Sequence, residues 1–454
     1  MLECNFLVIG AGESGLILAQ ELAKNGNSVI LVEQGEIGGS YLFSNEIPKY
    51  FLSQKAKDFA TTLKQFKDYR DTFSILLKQR LKIQMHLNEH IKQYKITLEN
   101  KLNNLPTLKI IYGTAEFTSK KLVEINSEFE RHLVSFDKAI LTNGKGLMAI
   151  PKIKGIADVN FLFQHNVFLF EQIPSKMAII GVTSENLEIA NIYSNLGVKI
   201  TIFDSQDGSK VIPRLDSTAL NFIIKELSSK QVEFYFKTDI LKVKKQGKNL
   251  ILYSSDKKEF VFSHIYISVK ETFDAKNLRL SKLDIKNSEL GILSNNNGST
   301  DHKHIYTFGE ASSKTNKINK YVNIQNFIRK HKIKEAKKPT GINLLSNISI
   351  SNKDIVSLKS DTVKIKLDYF VTTIGLTETI AIEKFGSQTK SEFIESKEIY
   401  GFLKLVYKEK SGQVLGITLA GEIANQLESV MIDRFQTSCL YSDLRNFVIS
   451  YLGI

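Results

Sequence analysis

The sequence contains one structural unit twice, and this repeat constrains the fold most. In the first copy the turn Gly10-Ala-Gly-Glu-Ser-Gly15 lies between a strand-like and a helical stretch, and the next strand ends in Glu33. In the second copy Gly181 opens the turn and the following strand ends in Asp204, at the same distance from its glycine. A strand, turn, helix and strand ending in an acidic residue form a dinucleotide-binding βαβ unit. The chain therefore predicts an α/β fold with two Rossmann-like domains.

The first turn has the residues that a nucleotide site needs. Gly10 permits the tight turn, Gly12 lets a pyrophosphate approach the backbone, and Gly15 allows close packing of helix on strand. The free N–H groups and the dipole of the following helix favour anions at its N-terminus. Glu33 is placed to accept hydrogen bonds from a ribose. We therefore expect this unit to bind a nucleotide.

The second turn, Gly181-Val-Thr-Ser-Glu-Asn186, departs from this pattern. Thr183 places a side chain where a pyrophosphate would approach, and Asn186 replaces the glycine that packs the helix on the strand. Glu185 adds negative charge at the helix start, which stabilises the helix but repels a phosphate. Asp204 favours NADH over NADPH. These residues predict that any NAD(P)H binding here is weak.

Composition excludes several function classes. The net charge is +13, but the lysines are spread along the chain, and no basic run interleaved with aromatic residues predicts a nucleic-acid partner. No apolar run reaches the roughly 18–20 residues of a membrane span, and the first strand begins so close to Met1 that we expect a cytoplasmic protein. The two cysteines, Cys4 and Cys439, have no metal-ligand spacing, so we expect neither a metal site nor a disulfide framework.

The rest of the chain predicts further helices and strands. No glycine or proline occurs between Pro48 and Pro106, and apolar residues recur at helical spacing, which predicts two long amphipathic helices with Met85 in the core. Residues 232–269 have the alternation of a β-meander or hairpin. The last part predicts an α+β domain, with strands in 368–373 and 401–406 and helices near 423–435 and 442–451.

The second strand of the first unit leads into the segment Glu33-Gln-Gly-Glu-Ile-Gly-Gly39-Ser40, and Ile47-Pro48 follows. These residues resemble the FAD-domain signature of the pyridine nucleotide–disulfide oxidoreductases, in particular the dihydrolipoamide dehydrogenase and mercuric reductase group. The resemblance continues over nearly the whole chain. Its further segments are Gly113-Thr-Ala-Glu-Phe117, Asn143-Gly144, Ile305-Tyr-Thr-Phe-Gly309-Glu310, Ile374-Gly-Leu-Thr-Glu378 and Gly412-Gln-Val-Leu-Gly416.

The resemblance implies a domain order and a cofactor. It implies an FAD-binding domain in 1–150, an NAD(P)-binding-like domain in 151–280, a returning FAD segment in 281–335 and a dimerisation domain in 340–454, hence a homodimer. The implied FAD-binding residues are Gly10, Gly12, Gly15, Glu33, Gly39, Ser40, Gly113, Ala115, Asn143, Gly144, Gly309 and Glu310. For the NAD(P)H site, at which we expect weak binding, they are Gly181, Glu188 and Asp204.

The chain departs from the family at the residues that carry its chemistry. The redox-active cysteine pair aligns with Tyr41 and Glu46, so no thiol stands at either position. The lysine that pairs with the retained Glu188 falls at Tyr50, so we expect either that the neighbouring Lys49 takes its place or that the site is open to water. The C-terminal histidine aligns with Tyr451, whose phenol is a poor base for a thiol at neutral pH.

Two hypotheses follow. The first is an FAD-binding flavoprotein with the disulfide-oxidoreductase fold, which passes a hydride from NAD(P)H to a non-disulfide acceptor without dithiol chemistry. The second is a noncatalytic paralogue that acts through FAD or protein binding. The sequence assigns no catalytic residue.

Overall fold

We analysed a computed structural model of the 454-residue chain. The structure describes the residues in the ranges 1–39, 42–65, 72–144, 146–169, 173–208, 212–274, 278–295, 297–313, 317–331, 362–437 and 440–454. Ser40, Tyr41, Cys439 and the segment 332–361 lie outside these ranges.

The first βαβ unit is built around a central strand with parallel neighbours. Its strands are β1 (Leu2–Ile9), β2 (Val29–Glu33), β3 (Leu108–Tyr112), β4 (Thr114–Ser119), β5 (Leu122–Asn126), β6 (Arg131–Leu141) and the short β7 (Leu147–Ala149). Its helices are α1 (Glu13–Lys24), α2 (Ile47–Gln65) and α3 (Thr72–Asn103). The sheet order is β3-β2-β1-β6-β5-β4, and β1 runs parallel to both β2 and β6. The carboxyl end of β1 therefore meets the start of α1, as the repeat predicts.

The second unit repeats this arrangement. Its strands are β8 (Lys176–Ile180), β9 (Lys199–Phe203), β10 (Val232–Tyr235), β11 (Ile240–Gln246), β12 (Asn249–Ser254), β13 (Glu259–Phe262) and β14 (His264–Ile267), and its helices are α4 (Ser184–Asn195) and α5 (Ser217–Ser229). The parallel sheet has the order β10-β9-β8-β14. The predicted meander was too long, because only β11, β12 and β13 form an antiparallel sheet. Its expected ends are parallel strands, β10 beside β9 and β14 beside β8.

The chain then returns to the first sheet before its last, antiparallel part. The remaining strands are β15 (Lys270–Thr272), β16 (Asn287–Ser288), β17 (Gly291–Ile292), β18 (Ile305–Thr307), β19 (Thr362–Lys366), β20 (Phe370–Gly375), β21 (Thr389–Glu395), β22 (Gly401–Lys408) and β23 (Val414–Gly421). The remaining helices are α6 (Lys317–Lys330), α7 (Glu378–Phe385), α8 (Glu422–Gln436) and α9 (Tyr441–Leu452). Strand β18 pairs with β6, and the last sheet has the order β19-β20-β23-β22-β21. The predicted α/β class with a C-terminal α+β part is confirmed.

The two predicted long helices are α2 and α3, but one predicted core residue is wrong. Leu87 and Leu98 on α3 are buried, whereas Met85 is 69% exposed. Two residues turn a helix by about 200°, so a residue two positions before Leu87 faces away from the stripe that Leu87 starts. Within the described ranges, no helix combines the length and the hydrophobicity that a membrane span requires.

Helix α2 joins the three parts of the structure. Its residues Leu52, Ala56 and Phe59 pack in one cluster with Tyr193 of α4 and with Phe402 of β22. This shared cluster holds the first unit against the second, because burial of apolar surface is the dominant favourable term in packing. The N-terminus of α2, which holds Lys49, thereby lies against α4.

A buried ion cluster ties the second unit to the last sheet. Lys404 on β22 is 4% exposed, and its Nζ lies 2.9 Å from Asp216 Oδ1 and 2.7 Å from Glu378 Oε2. Asp216, 1% exposed, is the N-cap of α5 and accepts hydrogen bonds from the Thr218 backbone N–H and hydroxyl. Burial alone would raise the pKa of Asp216, but these hydrogen bonds and Lys404 lower it.

We predict that Lys404→Met destabilises this junction by about 3–5 kcal/mol, because it leaves the buried carboxylate of Asp216 without its cation. Urea unfolding followed by circular dichroism measures this change. Lys390→Met is the matched control, since Lys390 is exposed and its Nζ lies 3.8 Å from Glu409 at the surface. An exposed pair contributes about 0–1 kcal/mol. Equal shifts for the two variants would contradict the prediction.

Candidate nucleotide-binding and redox site

The first glycine turn brings α1 into direct contact with the end of β1. Gly10 has a φ of +101°, and a Cβ on Gly15 would lie 1.9 Å from the Gly10 carbonyl oxygen. Glycine is therefore required at both positions. Thr142 lies behind the turn, and its hydroxyl donates to the Gly10 carbonyl at 2.8 Å and to the Ile9 carbonyl at 3.0 Å.

The N-terminus of α1 is open and uncapped. Gly12 is the N-cap residue and provides no side-chain cap, and a Cβ built on Gly12 would meet no atom within 4 Å. The Ser14 hydroxyl on the first turn is buried and has no hydrogen-bond partner among the described residues. Gly309 closes this pocket from the side of β18, since a Cβ there would lie 2.6 Å from Ser14 Oγ. The N-terminus of α1, the buried Ser14 hydroxyl and the open space over Gly12 are the features that favour an anion at this position.

Glu33 lies beside this pocket with its carboxylate fixed by backbone groups. The N–H of Ala11 donates to Oε2 at 2.6 Å, and the N–H of Gly35 donates to Oε1 at 2.9 Å. A carboxylate has about four acceptor positions, so two remain for the hydroxyls of a ribose. The geometry is the one expected for the acidic residue at the end of the second strand.

The other sequence-predicted residues of this site divide into two groups. Gly39 and Asn143 contact the turn: a Cβ on Gly39 would lie 3.2 Å from Gly12 Cα, and one on Gly10 would lie 2.7 Å from Asn143 Cα. The remaining residues lie further out or inside the core. Gly113 donates its N–H to the Glu33 carbonyl, Ala115 is buried in the sheet core, Gly144 lies in open space with a φ of +70°, and Glu310 is exposed on the turn after Gly309.

The second turn has the same backbone hydrogen bonds to its acidic residue as the first turn, but different side chains occupy it. Asp204 accepts hydrogen bonds from the N–H of Val182 at 2.6 Å and of Gln206 at 2.8 Å, which repeats the pattern of Glu33. However, α4 is capped by its own side chain, because Thr183 Oγ1 accepts the N–H of Asn186 at 3.1 Å. One of the N–H groups that a phosphate would use is therefore already occupied.

Asn186 fills the place where the first unit needs glycine. Its buried Nδ2 donates to the Gly181 carbonyl at 2.8 Å and to the Ile180 carbonyl at 3.1 Å, and its Oδ1 accepts from the Ser268 hydroxyl at 2.8 Å. The Asn186 carboxamide therefore fills the gap between α4 and β8, and both its nitrogen and its oxygen have hydrogen-bond partners. These bonds stabilise the unit without any ligand.

Of the two alternatives for Glu188, the structure shows the pairing with Lys49. Lys49 Nζ lies 3.6 Å from Glu188 Oε2 and 3.6 Å from Glu46 Oε1. Burial by itself would lower the pKa of Lys49, but the charges of Glu46, Glu188 and Glu185 outweigh burial and raise it. The second Glu188 oxygen accepts the N–H of Lys366 at 3.0 Å, which links the pair to β19.

A second ion pair lies near the first. His165 Nε2 bonds to Glu271 Oε1, and both side chains are mostly buried. The hydrogen bond to Glu271 raises the pKa of His165, the carboxylates of Glu310 and Glu185 contribute to the same shift, and burial opposes it. His165 therefore holds a proton more strongly than an ordinary histidine does.

Two further predicted positions lie away from these groups. Cys4 is buried on β1, and burial raises the pKa of its thiol to about 12, so the reactive thiolate is scarce at neutral pH. Tyr451 on α9 donates its hydroxyl to Gln426 Oε1 at 3.2 Å. Within the described ranges, no group of three or more His, Cys, Asp or Glu side chains is arranged to hold a metal ion.

Sequence reasoning missed four side chains of this site: Ser14, Asn45, Thr142 and His165. Ser14 carried a usable signal, because a hydroxyl inside the first turn of a phosphate-binding helix is a candidate ligand. The other three are positioned by residues far along the chain. Asn45, for example, bonds to Gln164 and Glu185.

The fold and the site define a protein with two dinucleotide-type units and a C-terminal antiparallel sheet. The sequence profile described as "Pyridine nucleotide-disulphide oxidoreductase" matches residues 4–326. The chain belongs to this family.

Several enzymes are similar to this chain in sequence or in fold. The chain is 23% identical to dihydrolipoyl dehydrogenase of Buchnera aphidicola subsp. Baizongia pistaciae over 96% of its own length and 90% of that protein. It is 20% identical to mercuric reductase of Staphylococcus aureus, over 99% and 80% of the two chains. Among solved structures, the Cu(II) complex of the HOCl-induced flavoprotein disulfide reductase RclA from Escherichia coli matches with a TM-score of 0.78 and 19% identity, over 98% and 95% of the chains. At this identity the structural match establishes the fold.

We predict that Glu271→Gln lowers the pKa of His165, because it removes the charged acceptor that holds the imidazolium. Proton NMR titration of the imidazole measures this change. In the folded protein the pKa of His165 lies above the value of about 6.5 that an unperturbed histidine has. The pair therefore stabilises the fold fully below pH 6.5, and this stabilisation is lost as the pH rises through the folded pKa of His165. The stability difference between wild type and variant should therefore shrink at high pH. Glu289→Gln, at an exposed glutamate of the same region, is the control.

Proposed function

We propose that this protein is an FAD-binding flavoprotein without dithiol chemistry, which transfers electrons to a non-disulfide acceptor. The observation that carries the proposal is the open N-terminus of α1, where the space over Gly12 and the unpaired Ser14 hydroxyl fit a pyrophosphate. Glu33 has acceptor positions for the adenosine ribose. The residues present therefore fit the adenylate half of FAD.

FAD, when bound, supplies a two-electron redox centre, and the protein's own residues bind and orient it. Gly10, Gly12 and Gly15 admit the pyrophosphate, and Glu33 holds the ribose. Glu310 retains the carboxylate for the ribityl chain with one additional methylene. Lys49 and Glu188 supply the ion pair that the family resemblance implies beside the flavin.

The absence of dithiol chemistry rests on three positions. Glu46 pairs with Lys49 where the alignment expects the second cysteine, and Tyr41 stands at the first. Tyr451 stands at the position of the C-terminal histidine. Without the two sulfur atoms there is no disulfide that the flavin could reduce, and without the histidine there is no base for a thiol.

The second candidate, a noncatalytic paralogue, is favoured by the second turn. Thr183 caps α4 and Asn186 fills the gap beside Gly181, so the unit is complete without a nicotinamide nucleotide. Anaerobic titration of the FAD-loaded protein with NADH and NADPH separates the candidates. Bleaching of the flavin supports the oxidoreductase, and an unchanged spectrum supports the paralogue.

We also propose that the protein is a homodimer. The support is the resemblance of its C-terminal part, with β22 and Gly416 of β23, to the dimerisation domain of the family.

The cofactor proposal is tested by Gly12→Ala. The new methyl group meets no protein atom, so we expect normal folding, but it occupies the space of the pyrophosphate and should lower FAD retention at least tenfold. Flavin absorbance per protein after gel filtration measures the loss, and thermal unfolding of the FAD-free forms checks the fold. Gly146→Ala is the control, because its methyl group makes only an ordinary 3.5 Å contact with Asp274. A colourless wild type that takes up no added FAD would refute the proposal.

We further predict that the protein does not reduce lipoamide, glutathione disulfide or mercuric ion with NADH or NADPH. Steady-state assays of wild type and of the Cys4→Ser, Cys439→Ser double variant measure this. Turnover that survives in the double variant would refute the argument from missing thiols. Turnover lost only in the double variant would show that these cysteines are the redox pair.

A further inference from the structure

A cavity lies at the amino ends of β8, β9 and β10, three neighbouring strands of the second unit. Its volume is about 370 Å³, which is within the range of small-molecule sites. It is lined by Lys176, Lys199, Ile200, Thr201, Gln231 and Glu233. Five of these six residues are polar or charged, so the cavity suits a hydrophilic ligand. The turn that begins at Gly181 lies at the other, carboxyl end of β8, so the cavity is separate from the nucleotide position of this unit.

Two lysines lie side by side at one end of the cavity. Lys176 on β8 and Lys199 on β9 are register partners in the parallel sheet, so their side chains are on the same face. Like charges in paired positions repel each other. Lys176 Nζ lies 4.7 Å from the centre of the Phe262 ring, which stabilises a cation but supplies no negative charge. Within the described ranges, no carboxylate oxygen lies within 4 Å of either ammonium group, so a bound anion would balance the pair.

Glu233 on β10 supplies an acceptor at the other end of the cavity. It is the register partner of Thr201, whose hydroxyl donates to Glu233 Oε2 at 3.3 Å. Thr201 is 2% exposed, so this bond holds the carboxylate on a buried side chain. Thr201 follows Lys199 by two residues, which places the carboxylate about 7 Å along the strand from the lysine pair. The cavity therefore has a cationic end and an acceptor end.

Gln231 adds a carboxamide to the wall of the cavity. It follows Lys230, the C-cap of α5, and has a φ of +65°, a left-handed conformation that glycine usually takes at this position. Residues held in such conformations are concentrated at binding and catalytic sites. A carboxamide both donates and accepts hydrogen bonds, so it suits a hydroxyl group of a ligand.

We propose that this cavity binds the phosphate monoester of a small polyol. The phosphate group lies between Lys176 and Lys199, where hydrogen bonds between ions are about twice as strong as neutral ones. Glu233 repels the phosphate and accepts hydrogen bonds from the hydroxyl groups, so the two ends of the cavity orient the ligand. A three-carbon polyol chain bridges the distance between them. The proposal goes beyond the proposed function, because it requires neither FAD nor a nicotinamide nucleotide.

Glycerol 3-phosphate, inorganic phosphate and glycerol are the probes, because they carry both groups, the anion alone and the hydroxyls alone. Calorimetry on the purified full-length protein measures their binding. We expect glycerol 3-phosphate to bind at least tenfold more tightly than inorganic phosphate, and glycerol at the same concentrations to give no binding signal.

Two variants at exposed residues separate the two ends of the cavity. Lys199→Gln removes one positive charge and should weaken the binding of both phosphate probes about tenfold. Glu233→Ala should lower the affinity for glycerol 3-phosphate to that for inorganic phosphate. It should not weaken inorganic phosphate, because it removes a charge that repels the anion. Lys225→Gln, at an exposed lysine of α5, is the matched control and should change neither affinity.

Equal affinity for glycerol 3-phosphate and inorganic phosphate, or no binding of either, would overturn the proposal. Unchanged affinities in Lys199→Gln or in Glu233→Ala would overturn it as well. The chain has a net charge of +13, so phosphate could also bind to its basic surface in general. Equal losses in Lys225→Gln and Lys199→Gln would show such general binding and would reject the site.

Discussion

The contact between Gly15 and the Gly10 carbonyl is the constraint on which the first unit depends. Only a residue without Cβ brings α1 this close to the end of β1, since a methyl group would lie 1.9 Å from an oxygen. The approach aims the uncapped end of α1 at the open space over Gly12. It also leaves room for Thr142 to satisfy the carbonyls behind the turn. One steric condition thus sets the direction of α1 and the position of the open space over Gly12.

The second unit shows what happens when that constraint is lifted. Its acidic residue, Asp204, makes the same backbone bonds as Glu33, so the βαβ frame does not depend on close packing. Asn186 replaces the close contact with hydrogen bonds to two carbonyls, and Thr183 supplies a cap of its own. A cap stabilises a helix by about 1 kcal/mol, and the same bond removes a donor from any phosphate. The residues that complete this unit are therefore the ones that weaken its ligand site.

The sequence predicts what depends on local spacing and misses what depends on long-range contacts. The glycines and Glu33 were predictable, because each has a fixed place in the repeated unit. Lys49 was predictable as the partner of Glu188 because the two motifs align with one family. His165 and Asn45 were not, since Glu271 and Glu185 reach them from distant segments. The exposed Met85 was a failure of local reasoning, because the helical stripe itself places that residue on the opposite side.

The position of Lys49 shows how charge balance shapes the centre of the molecule. Glu188 is mostly buried, and a buried carboxylate without a cation is strongly destabilising. Lys49 starts one residue away from the aligned position, but its long side chain reaches Glu188 and Glu46 at equal distances. Glu46, at the place aligned with a cysteine, thereby holds the lysine from one side while Glu188 holds it from the other. A thiol at residue 46 would leave that lysine with less negative charge beside it. The Glu46 carboxylate is therefore part of an ion network that connects α2 to α4 through Lys49 and Glu188.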